Sequence, residues 1–168
     1  FHTAQVYATA MGGGMSSRLF QKIREEKGLC YSIFTQAGAY DETGLMTIYA
    51  GTSAEEIGAL TELTIAELRR AADDMSEAEV ARARAQMKAG LVMGLESASS
   101  RAERLARLLA IFGRVPDLDE AVAQIEDVTR DKVRDYAGRL VTAPSAMAIY
   151  GPDSAAPELQ QLRMDLAA

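Results

Sequence analysis

The 168-residue sequence contains no tryptophan, one cysteine, one histidine and four prolines. A single cysteine rules out an internal disulfide, and a single histidine cannot supply the two or three imidazoles that most catalytic zinc sites use. Most self-contained metal chemistry is thereby excluded. No stretch approaches the roughly 20 apolar residues of a membrane-spanning helix; the uncharged run 29–40 is strand-sized and holds Ser, Thr and Gln. Positive charge is also scarce: 18 Lys and Arg stand against 24 Asp and Glu, a net charge of −6. That is the wrong sign for a surface that tracks a phosphate backbone, so nucleic acid is not an expected partner. The chain opens without a charged, apolar and small-residue leader, on the apolar-rich run Phe1 to Tyr7, as expected of a piece cut from something longer.

Hydrophobic residues make up 48% and charged residues 25%, the balance of a soluble globular protein with one packed core. Val6 and Ala10 have helical spacing, and Gly12-Gly13-Gly14 ends that helix. Ser16 or Ser17 is placed to cap a second helix that carries Leu19, Phe20 and Ile23 inward, leaves Arg18, Lys22 and Arg24 largely outside, and stops at Gly28. The Tyr-, Ile-, Phe- and Thr-rich stretch 29–40, the turn residues 41–44 and the stretch 45–50 predict an antiparallel hairpin. Ser53 with Glu56 and Ser76 with Glu79 read as capping boxes opening two long helices. Ser100 with Glu103 is a candidate restart of the second helix, and spacing leaves open whether 96–100 bends or breaks it. A short helix over 117–126, a Thr129-capped helix holding Val133, Tyr136, Ala137 and Leu140, and a last strand over 145–150 complete the pattern. Helices, a hairpin, more helices and a closing strand define an α+β fold, an antiparallel sheet with helices packed on one face. One domain is expected over 1–152, with 153–168 a tail or short helix.

Few residues invite chemistry. The triple glycine lacks the preceding strand and the Gly-Lys-Ser/Thr ending of a phosphate loop. It is either a helix stop that permits close packing or a stretch of bare backbone open to an extended peptide, Gly12, Gly13 and Gly14 being the contacts in that case. Arg24 and Tyr31 flank a helix-to-strand junction, where a guanidinium and a phenol can together hold a carbonyl oxygen that gains negative charge. The plainer alternative is a surface arginine paired with Glu25 or Glu26 beside a half-buried strand tyrosine. Cys30, with no histidine partner, reads as a small core residue. His2 has no second metal ligand beside it. The acidic clusters at 73–74 and 117–120 read as helix caps, and the scattered methionines as core or interface fillers.

The segments Gly12-Gly13-Gly14-Met15-Ser16-Ser17-Arg18-Leu19-Phe20 and Arg24-Glu25-Glu26-Lys27-Gly28-Leu29-Cys30-Tyr31-Ser32 closely resemble the second-half domain of pitrilysin-type zinc peptidases, bacterial proteins akin to mitochondrial processing peptidase in particular. The likeness continues through Tyr49-Ala50-Gly51-Thr52, Ser76 to Glu79, Leu95-Glu96-Ser97, Arg101 and Ile149-Tyr150-Gly151.

In that family two similar α+β domains enclose a chamber for unfolded peptides. Zinc is held in the other half, by an inverted H-x-x-E-H motif and a downstream glutamate that this sequence lacks. The resemblance therefore implies the metal-free half, inactive by itself, with zinc and an N-terminal catalytic domain elsewhere in the parent protein. It implies that Arg24 and Tyr31 reach the substrate near the zinc, and that the shorter glycine segment is a weaker match to the family's substrate-binding loop. Family members also carry a strand ahead of the first helix, which this chain is expected to lack. The resemblance leaves a homodimer open, together with a cytoplasmic or periplasmic bacterial location. The competing expectation is a peptide-binding or assembly module from a member whose catalytic half has lost its ligands. An H-x-x-E-H motif upstream of Phe1 separates the two.

Overall fold

A computed structural model describes residues 1–40, 42–151 and 166. The tail expected at 153–168 lies outside the described residues apart from Leu166, which is helical.

Helix α1 (His2–Gly12) is the centre of the molecule. Its residues are apolar on several sides, as a helix buried all round requires, and Val6, Tyr7 and Met11 are wholly inaccessible. A short π-helical segment (Phe20–Glu25) follows, then the hairpin of β1 (Ser32–Ala39) and β2 (Gly44–Gly51), paired antiparallel with Ile33 opposite Ala50 and Phe34 opposite Tyr49. Alternation sends Ile33, Thr35, Met46 and Ile48 toward α1 and leaves Phe34, Leu45 and Tyr49 exposed on the other face. Two polar staples fix α1 on the strand: the Thr35 hydroxyl donates to the Ala8 carbonyl, and Gln5 Nε2 donates to the Ala37 carbonyl at 2.7 Å. Helices α2 (Ile57–Asp74), α3 (Glu77–Gly94), α4 (Ala98–Phe112), α5 (Leu118–Glu126) and α6 (Arg130–Val141) complete the fold. Val80 and Ala83 of α3 and Val133 and Ala137 of α6 close the core around α1. This is the expected α+β arrangement, with helices on one face of an antiparallel hairpin.

Several local expectations are corrected. Ser53 and Glu56 do not form a capping box: α2 starts only at Ile57 with no side-chain cap. Ser17 does not cap the second helix, since its hydroxyl turns back to the Gly14 carbonyl at 2.6 Å. The helix from Ser76 breaks at 95–97, and α4 restarts from Ser97, whose side chain accepts from the Ser100 N–H. Ser145 to Tyr150 is not a strand. A strand exists only where a neighbour takes its backbone hydrogen bonds, and the described sheet contains β1 and β2 alone.

Helix α4 differs from the others in burying nothing. Leu105, Leu109 and Phe112 recur along one side at helical spacing and all three are exposed.

Candidate functional site

The glycine turn is built for proximity. A Cβ at Gly12 would lie 2.6 Å from the Thr35 backbone nitrogen, and one at Gly13 would lie 2.7 Å from the Thr9 carbonyl oxygen. These two positions therefore let α1 cross β1 closely and turn out of the helix at once. The carbonyl of Gly13 accepts from Gln86 of α3, and that of Gly14 accepts from Ser17.

Arg18, expected on the outside, is instead largely buried, its side chain only 9% exposed. Its guanidinium grips Glu79 with two bonds of 2.8 and 2.9 Å, pairs with Asp74, and stands 3.9 Å from Glu67. Arg70 adds contacts to Glu67 and Asp74. Burial would raise the Glu79 carboxyl, but hydrogen bonds from Arg18 and from the Ser76 N–H and hydroxyl outweigh it and hold the group at about 2. These ion pairs lie in the wall of a cleft and tie the segment after the glycine turn to α2 and α3. Nothing in the local sequence marks Arg18 as different from Lys22 or Arg24, because its partners come from 49 to 61 positions along the chain.

Arg24 and Tyr31 are brought together. After the π-helical segment a turn leads to Gly28, whose φ of 66° lets the chain reverse, and the Gly28 and Leu29 N–H groups return to the Arg24 and Ile23 carbonyls. The hairpin then fixes the next residues: Thr52 donates to the Leu29 carbonyl at 2.6 Å, and the Tyr31 N–H to the Gly51 carbonyl at 2.9 Å. The Arg24 guanidinium carbon consequently stands 5.9 Å from the centre of the Tyr31 ring, and 4.6 Å from that of Phe20. Tyr31 is 86% exposed and does not pack as a strand residue. Arg24 also bonds Glu25 at 3.2 Å, the surface pair foreseen as the plainer alternative. Phe20 is the member of this group that reasoning from sequence assigned to the core alone; its place four residues before Arg24 was the available signal.

Cys30, between Arg24 and Tyr31 in sequence, is buried, and burial pushes its thiol up although Arg24 pulls the other way. That is the state of an inert core thiol. Among the described residues no group of three or more His, Cys, Asp and Glu side chains could hold a metal ion. The donor set does not fit zinc: His2 stands at the start of α1, where burial lowers its basicity, and Cys30 is enclosed by the core. Among the described residues no helix is long and apolar enough to cross a membrane.

The family described as the peptidase M16 inactive domain matches residues 2–87. The chain belongs to the peptidase M16 family. Relatives of the M16 domain include an uncharacterized zinc protease of Bacillus subtilis, YmxG, 36% identical over 90% of this chain and 37% of its own length. Another, an uncharacterized zinc protease of Mycobacterium tuberculosis, is 37% identical over 94% of this chain and 36% of its own. The M16 domain thus spans little more than a third of the relatives it matches. In fold it resembles a protease from Helicobacter pylori, with a TM-score of 0.71 and 23% identity over 82% of this chain and 33% of that one. A chain of complex III from Candida albicans gives a TM-score of 0.79 at 20% identity over 97% of this chain and 42% of that one. Match to the inactive domain agrees with the missing zinc ligands.

Proposed function

We propose that this M16 domain is the metal-free second half of a two-domain zinc endopeptidase, lining a chamber and holding an unfolded peptide opposite the zinc of an N-terminal partner domain. The observation that carries the reading is the meeting of Arg24 and Tyr31, two donors from different elements, at an exposed junction. When a peptide carbonyl is attacked, its oxygen becomes negative, and a guanidinium and a phenol aimed at it lower the barrier. Removing one such donor elsewhere typically costs about 10²- to 10³-fold in turnover. The exposed stripe of α4 supports a docked partner domain, since an apolar helix face without cover is unfavourable in water.

The test uses the full-length protein. Arg24→Ala and Tyr31→Phe are expected to lower peptide turnover while zinc content stays unchanged. Normal turnover in both variants would sink the role.

A further inference from the structure

We infer that Phe20 is a positioning residue that fixes the guanidinium plane of Arg24, an inference that rests on the reading of Arg24 as a substrate contact. An arginine carries several freely rotating bonds, and a guanidinium left loose at a surface would lose much of its value as an oriented donor. Here it has a support. Phe20 opens the π-helical segment and Arg24 lies four residues on, with the guanidinium carbon 4.6 Å from the Phe20 ring centre. The Tyr31 ring is the second aromatic neighbour, at 5.9 Å.

A guanidinium lying along an aromatic face keeps its N–H edge free for a planar acceptor. In the chain as described one position on that edge is taken by Glu25, a partly exposed carboxylate that an incoming carbonyl can displace. Phe20 itself is only half-buried and lies at the rim of the core. Leu19 and Ile23 beside it are fully buried and do the packing. The backbone bonds of the segment include Glu26 N–H to the Gln21 carbonyl, five residues back, at 2.9 Å. Such wide turns recur at functional sites.

Two substitutions separate the ring from the bulk it contributes: Phe20→Met keeps apolar volume without an aromatic face, and Phe20→Tyr keeps the face. The first readout is the Arg24 Nε–Hε resonance of the isotopically labelled chain, which the ring current of Phe20 displaces. Phe20→Met is expected to return it toward the position of a solvated arginine, and Phe20→Tyr to leave it displaced. The second is cleavage of an unstructured peptide by the full-length protein. There Phe20→Met is expected to lower kcat by about 3- to 10-fold with KM little changed, and Phe20→Tyr to restore it. An unmoved Arg24 resonance in Phe20→Met overturns the proposal, as does normal kcat in Phe20→Met when Arg24→Ala is impaired. Normal turnover in Arg24→Ala overturns instead the underlying role of Arg24.

Discussion

Replacing Glu79 by glutamine removes one negative charge from the ion cluster around Arg18 while leaving helix α3 able to start. Glutamine still accepts the Ser76 N–H, so the capping box survives in its neutral form. What is lost is the two-bond grip of Arg18 on a carboxylate. A drop of the Glu79 carboxyl from its usual 4.5 to about 2 corresponds to at most about 3 kcal/mol of stability. The cluster opens to solvent at Asp74, and screening there reduces the expected loss to about 1–2 kcal/mol.

The sign follows from the depressed value. The contribution is complete above 4.5, where the unfolded carboxyl is ionised, and drains away as the pH falls from there toward about 2. Urea unfolding of the chain, followed by circular dichroism between pH 7 and pH 2.5, is therefore expected to show Glu79→Gln less stable at neutral pH and the gap to wild type narrowing in acid. A gap below about 0.5 kcal/mol at pH 7, the size of an ordinary surface substitution, or one that stays constant with pH, would refute the assignment of Arg18 and Glu79 as a buried clasp.

The glycine turn gives a sharper steric test. Gly12→Ala drives a methyl to 2.6 Å from the Thr35 nitrogen and should cost about 1–3 kcal/mol in urea unfolding, whereas Gly90→Ala, with open space around it, should stabilise α3 by about 0.5–1 kcal/mol. Equal effects would remove the close crossing of α1 over β1 as the reason for the glycine. Tyr7 is fully buried, and its hydroxyl finds no partner among the described residues, so Tyr7→Phe should be neutral or stabilising by up to about 1 kcal/mol; a clear loss of stability would show a hidden partner. Finally, the isolated chain should self-associate through the bare stripe of α4, and Leu105→Glu with Leu109→Glu should abolish this in sedimentation velocity. Unchanged sedimentation of the double variant would exonerate α4.

Local signals were legible wherever a short stretch of sequence contained both halves of an interaction. The Ser76–Glu79 box and the Asp117 and Thr129 caps are each complete within four residues, and the hairpin expected from the stretches 29–40 and 45–50 is present. The same rule misfired where a local pair had an equally local competitor. Ser17 bonds the Gly14 carbonyl in place of capping the helix that follows it.

Composition and motifs by themselves determined that this sequence holds one histidine and no H-x-x-E-H motif, that its pattern is α+β, and that Arg24 and Tyr31 flank a helix-to-strand junction. Tertiary structure alone decided that Arg18 is a buried clasp and that Arg24 stays half-exposed beside Phe20 and Tyr31, although both are arginines on one short amphipathic stretch. It also decided that Phe20 spends its free face on a guanidinium and that α4 stands uncovered while α1 is enclosed. The physical reason is common to all of these. Charge burial, stacking and the covering of an apolar face depend on groups that meet only when distant segments close around them.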